Sequence, residues 1–190
     1  DPIPNSSSGW RLLSKYAKTA FYEPQPLPLV IDGYAFFAGG DSNGTYQLYK
    51  TDGTANGTVK VTDFSNGTEL WGHGYWNSGI YSYGNVVGNT LYFEVDDVAT
   101  GVELWKTDGT TSGTSMVKDI NVGSGDAIGV SGTYIRRHSI GDTLFFAAND
   151  GTHGPELWRT NGTSSGTMMV ENFNPSTTIT GSYGFYRTLG

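Results

Sequence analysis

The chain has 190 residues, 28 of them glycine, with 14% aromatic and 15% charged residues and no cysteine. That composition fits a folded all-β protein and excludes both a disulfide framework and a thiolate metal site. Its 18 acidic and 11 basic side chains leave a net charge of −7, which argues against nucleic acid and against an anionic membrane surface, since both reward basic patches.

Taken in chain order, the sequence opens at Asp1 with no methionine and no signal peptide, and the expectation is a processed or excerpted product, which would hide any removed targeting segment. The longest apolar stretch, Leu27 to Ala38, is interrupted by Pro28, Asp32 and Gly33, so no segment is expected to insert into a bilayer. Residues 1–31, from Ser7-Ser8-Gly9-Trp10 to Ile31, read as the second half of a degenerate repeat unit. Three full units follow at 32–87, 88–140 and 141–189, with lengths of 56, 53 and 49 residues. Their shared phrase is YQLYKTDGTANGTVKVTDF from Tyr46, VELWKTDGTTSGTSMVKDI from Val102 and PELWRTNGTSSGTMMVENF from Pro155. Phe36-Phe37, Tyr92-Phe93 and Phe145-Phe146 precede it at matching distances, and Tyr81, Tyr134 and Tyr183 follow it. Self-similarity at a fixed period defines a repeat architecture, so residues 1–190 are expected to form a single repeat domain of about 3.5 units.

Within a unit the pattern predicts four short antiparallel strands. In 141–189, DTLFFAAN alternates and is rich in aromatic residues, Asp150-Gly151 marks a turn, and ELWRT is the second strand. NGTSSGT turns the chain into MMVENF, Asn174-Pro175 breaks that strand, and YGFYRTL is the fourth. The eight-residue turn has the same length in every copy, at 51–58, 107–114 and 160–167. Asp52, Asp108 and Asn161 are suited to fold a side-chain oxygen back onto backbone N–H groups, and Gly53, Gly109 and Gly162 accept positive φ. Two residues before each turn stand Tyr49, Trp105 and Trp158, expected to be the core anchors between units because one large ring buries about 150–250 Å².

The phrase resembles the ELWxxDGT repeat of bacterial secreted and surface proteins. The match is specific at Glu103-Leu104-Trp105 with Asp108-Gly109-Thr110 and at Glu156-Leu157-Trp158 with Asn161-Gly162-Thr163. The first copy departs from it, with Gln47-Leu48-Tyr49 before Asp52-Gly53-Thr54. The resemblance implies an extracellular or cell-surface, β-propeller-like repeat protein, and it implies no particular reaction.

Radial arrays of four-stranded units close with about four to eight blades, so an array of 3.5 units either belongs to a longer one or is completed by other chains. An open sheet edge recruits another strand, and the half unit at 1–31 is therefore expected to drive self-association into a ring-like homo-oligomer or a filament.

The connections between units vary most, with 24, 21 and 17 residues from Phe64, Ile120 and Phe173 to the next unit. Variable loops on a rigid scaffold are where binding residues tend to sit. The longest places Trp71, His73, Tyr75 and Trp76 among glycine, asparagine and serine. Aromatic faces beside amides and hydroxyls suit the C–H face and hydroxyls of a sugar; the alternative is that these rings cover the end of the repeat body or another chain. Tyr134 and Arg137, with Arg136 and His138, form a second polar and aromatic candidate, for which an ion-paired surface is the competing reading.

Asp41, Asp97 and Asp150 occupy equivalent positions, and Asp96 adds charge beside Asp97. Ca²⁺ is the ion such oxygen ligands would take, although no EF-hand spacing supports it and turn formation explains the aspartates equally well; no cofactor is required. Catalysis has little support, since there is no G-x-S-x-G elbow, H-E-x-x-H motif, phosphate loop or cysteine nucleophile. Five N-x-S/T sequons, at Asn5, Asn43, Asn56, Asn66 and Asn161, are glycosylation candidates that turn chemistry also accounts for. The leading expectation is a secreted, non-catalytic, lectin-like or adhesive oligomer whose partners are glycans or cell-surface polysaccharide. The alternatives are a structural subunit of an extracellular filament or surface layer assembled through the half unit and, third, a glycoside-active propeller enzyme.

Overall fold

The computed structural model describes residues 29–40, 42, 44–65, 67–70, 84–129 and 137–173. Every regular element among the described residues is a strand, and the strands form three antiparallel sheets. The first sheet orders β1 (Leu29–Ile31), β2 (Tyr34–Gly40), β3 (Tyr46–Thr51) and β4 (Val59–Lys60). The second contains β5 (Glu69–Leu70), β6 (Asn85–Val87), β7 (Thr90–Asp97), β8 (Gly101–Thr107) and β9 (Ser115–Met116), with β5 and β6 pairing with different stretches of β7. The third orders β10 (His138–Ile140), β11 (Thr143–Asn149), β12 (Pro155–Thr160) and β13 (Met168–Glu171).

Each sheet straddles a boundary between the sequence units. Strands β1, β6 and β10 close one unit in sequence, yet each pairs with the first strand of the next, through Ile31↔Tyr34, Val87↔Thr90 and Ile140↔Thr143. The cause is local. Two residues join each pair, and Asp32 with φ 49° and Gly33 with φ 80° have the left-handed conformations that a two-residue hairpin demands. A connection that short fixes antiparallel pairing, so the boundary drawn at 31/32 falls inside a hairpin.

Residues opposite one another across antiparallel strands share a face. Phe36 faces Lys50, Tyr92 faces Lys106 and Phe145 faces Arg159 on one side. Phe37 with Tyr49, Phe93 with Trp105 and Phe146 with Trp158 lie on the other. The core consists of two clusters, each made where successive sheets meet. One joins Ile31, Phe36 and Leu48 of the first sheet, with Val61 just beyond β4, to Leu91, Phe93 and Val95 of the second, with Trp105 packed against it. The other joins Tyr92, Val102 and Leu104 to Leu144, Phe146, Ala148 and Trp158. The Phe36/Tyr92 face of one sheet therefore packs on the Phe93/Phe146 face of the next.

The three predicted anchors differ in depth. Trp158 is buried in the second cluster; Trp105 is partly exposed and meets Phe64 edge-on, with centroids 5.6 Å apart; Tyr49 is partly exposed and stacks on Phe37 at 5.6 Å.

Candidate functional site

Strand direction gives the molecule two chemically distinct ends. At one end lie the two-residue hairpins and the DGT-type turns that follow β3, β8 and β12. At the other lie the hairpins joining β2 to β3, β7 to β8 and β11 to β12, together with the start and finish of the connections leading from β4 to β6 and from β9 to β10.

The DGT end is occupied by its own hydrogen bonds. Asp52 Oδ1 accepts from the Thr54 N–H at 2.8 Å and its hydroxyl at 2.7 Å; Asp108 does the same with Thr110, and Asn161 with Thr163 at 3.1 and 2.7 Å. The flanking threonine hydroxyls Thr51–Thr58, Thr107–Thr114 and Thr160–Thr167 close each turn at 2.6–2.7 Å. A Cβ on Gly57, Gly113 or Gly166 would land on the Asp or Asn side chain that organises the turn, which is why a second glycine stands there. The Asp108 carboxyl is held below the ordinary aspartate range by the Thr110 hydrogen bonds, with a smaller electrostatic contribution from Lys50 of the preceding sheet.

At the opposite end a buried clamp emerges that the sequence reading missed. Gln47, Glu103 and Glu156 are all almost fully buried. Gln47 Oε1 accepts from the Phe64 N–H at 2.8 Å and from the Thr62 hydroxyl at 2.9 Å, while its Nε2 donates to the Phe64 carbonyl at 2.8 Å. Glu103 Oε1 accepts from the N–H groups of Ile120 and Asn121, both at 3.0 Å, and Glu156 Oε2 from the Phe173 N–H at 3.1 Å. The signal was present as a constant separation of 17 residues between clamp and clamped N–H in all three copies. Burial pushes the Glu103 carboxyl up to about 8, aided by nearby Asp119 and opposed by its backbone donors. A neutral Glu103 matches the neutral amide that Gln47 supplies at the same position.

Arg137, a candidate sugar contact, lies inside the fold. Its guanidinium pairs with Glu94 of β7, and both side chains are at most 5% exposed. Burial raises the Glu94 carboxyl and outweighs the pull of Arg137 in the other direction. Arg137 therefore ties the second sheet to the third, a role in which packing and charge are inseparable. His138 is exposed on β10. The candidates Trp71, His73, Tyr75, Trp76 and Tyr134 lie outside the described residues.

Of the metal candidates, Asp97 accepts from the Thr68 hydroxyl and from the Ala99 N–H at 2.8 Å, and these bonds lower its carboxyl. Asp150 accepts from the N–H groups of Thr152 and His153 at 2.9 and 2.8 Å and contacts His153 Nδ1 at 2.7 Å. Partial burial acts to raise Asp150, and the bonds from His153 outweigh it, leaving the carboxyl lowered. Asp96 sits on β7 opposite Val102 and Glu69, and Asp41 is outside the described residues. No group of three His, Asp or Glu side chains suited to a metal ion occurs among the described residues.

Two sequons fall in described structure. Asn56 is exposed at its turn, whereas the Asn161 side chain is folded into its own; Asn5, Asn43 and Asn66 lie outside the described residues. Comparison with protein-family models, with curated proteins and with solved structures gives no match to this chain.

Proposed function

We propose that the protein is a secreted, non-catalytic carbohydrate-binding or adhesive module, in which a repeat scaffold presents variable connections to glycans. The observation that carries this reading is a division of labour within each unit. The turn residues and the clamp of the repeated phrase are engaged in folding, through Asp108 with Thr110 and through Glu103 Oε1 with the Ile120 N–H. The connections, by contrast, differ in length and carry Trp71, His73, Tyr75, Trp76 and Tyr134 among small polar residues. The strands that flank these connections, β4 with β6 and β9 with β10, have their open ends on the side away from the DGT turns. Several weak sites on a repeat body gain by multivalency, and the resemblance to ELWxxDGT repeats of secreted and surface proteins points the same way. A broad glycan array tests the reading. A defined set of ligands, lost in the double variant Trp71→Ala/Trp76→Ala, is the expected result, and a blank array overturns it.

A further inference from the structure

The inter-sheet contact occurs twice in the chain, and its two complementary halves recur at opposite ends of the array. At the first contact Phe36 and Leu48 are buried under the second sheet, and a Cβ on Gly109 would come within 3.0 Å of the Phe36 ring. At the second, Tyr92 and Leu104 are buried under the third sheet, and a Cβ on Gly162 would come within 2.6 Å of the Tyr92 hydroxyl. Lys50 and Lys106 line the same glycines at 3.7 Å. In the third sheet the equivalent residues are Phe145, Leu157 and Arg159, and here the rings and methyls are partly exposed and the guanidinium is exposed. At the other end of the array the equivalent of Gly109 and Gly162 is Gly53, where an added Cβ would meet nothing within 4 Å.

We propose that a second copy of this chain docks on the face of β11 and β12 that carries Phe145, Leu157 and Arg159, with its turn at Asp52-Gly53 seated as the turns at Gly109 and Gly162 are seated within the chain. Three observations favour a copy of this chain over an unrelated partner. The surface offered has the residue pattern of the two internal contacts. The matching turn is carried by the same chain. The charges are also complementary, because Asp52 of the incoming copy meets Arg159 as Asp108 meets Lys50. The contact is heterologous, so it propagates head to tail and grows with concentration unless the geometry closes a ring. It does not depend on the glycan reading and uses sheet faces rather than the edge expected of residues 1–31.

The test is the native mass of the full chain by light scattering and sedimentation over a range of concentrations. The wild type is expected to exceed the 20.4 kDa of one chain increasingly with concentration. Leu157→Glu is expected to be monomeric while remaining folded, with some loss of melting temperature because Glu171 lies opposite it. Added to wild type, that variant is expected to shorten the assemblies, because it still offers its Gly53 end and so caps them. Arg159→Glu, at an exposed position whose guanidinium contacts Met168 Sδ at 3.4 Å, is expected to weaken association about tenfold or more, most strongly at low salt. A wild type that stays monomeric throughout overturns the proposal. Assemblies insensitive to both variants overturn it as well, and so does a Leu157→Glu chain that fails to cap, which would place like faces together.

Discussion

A Cβ built on Gly162 would lie 2.6 Å from the hydroxyl oxygen of Tyr92, a residue of the preceding sheet. Gly162 thus has two reasons to be there. Its φ of 85° disfavours any side chain, and the aromatic ring of the neighbouring sheet occupies the space that a side chain would need. Gly53 shares the first reason with a φ of 91° and lacks the second.

That difference is measurable by thermal or chemical denaturation. Gly162→Ala is expected to destabilise by about 2–5 kcal/mol, combining left-handed strain of about 1–2 kcal/mol with overpacking of about 1–3 kcal/mol. Gly53→Ala is expected to show the strain alone. Adding Tyr92→Phe to Gly162→Ala should recover part of the loss by removing the clashing oxygen, a coupling that a double-mutant cycle reads directly. Equal costs at Gly53 and Gly162 would contradict the inter-sheet contact.

Glu103 predicts a pH dependence of stability. Its carboxyl is raised from 4.5 to about 8 in the folded chain, so between those values the unfolded chain has released a proton that the folded chain retains. Stability is therefore highest below about pH 4.5 as far as this group is concerned, falls through the window and levels off above about 8, at roughly 1.4 kcal/mol per pH unit at most. Glu103→Gln copies Gln47 and is expected to remove this slope, leaving the variant more stable than wild type at pH 8 and closer to it at pH 5. Parallel stability curves for the two proteins would place an ionised carboxylate in the clamp.

The buried anchor and the partly exposed one should separate in the same way. Trp158→Ala is expected to cost about 3–5 kcal/mol and Tyr49→Ala clearly less, because Tyr49 stacks on Phe37 while keeping part of its surface in solvent. An unchanged midpoint for Trp158→Ala would refute its place in the core.

Much of this organisation was legible in the sequence, and what escaped has identifiable causes. The turn around Asp108 could be read because every group that forms it lies within eight residues. The face of β7 could not be read from alternation alone, because Tyr92 and Phe93 both bury, each against a different sheet. The phase of the repeat also escaped, since a period says nothing of where a sheet begins. The two-residue link at Asp32-Gly33 sets that phase, and its Asp-Gly signal was passed over as a unit boundary. Glu103 and Glu156 were missed because a glutamate in a strand reads as solvent-facing, and only the clamped N–H groups 17 residues away explain their burial. Arg137 read as a sugar contact or an ion-paired surface residue because its buried partner, Glu94, is 43 residues distant.

The two described sequons carry opposite expectations in a host that performs N-glycosylation. Asn56 stands exposed at its turn, while the Asn161 carbonyl oxygen holds the Thr163 N–H and hydroxyl and its side chain lies against Gly166. Peptide mass mapping is expected to find glycan at Asn56 and none at Asn161 in the folded protein. The reverse occupancy would show that the Asn161 turn opens readily.

The division between a folding phrase and a binding surface is tested most directly by measuring glycan affinity and melting temperature together in two variants, Trp71→Ala/Trp76→Ala and Asp108→Ala. The loop variant is expected to lose binding while melting as wild type does, and the turn variant to melt earlier while retaining its affinity below that transition. Loss of binding in Asp108→Ala with its stability intact, or full affinity in the loop variant, would contradict this assignment and move the binding surface to the repeated turns.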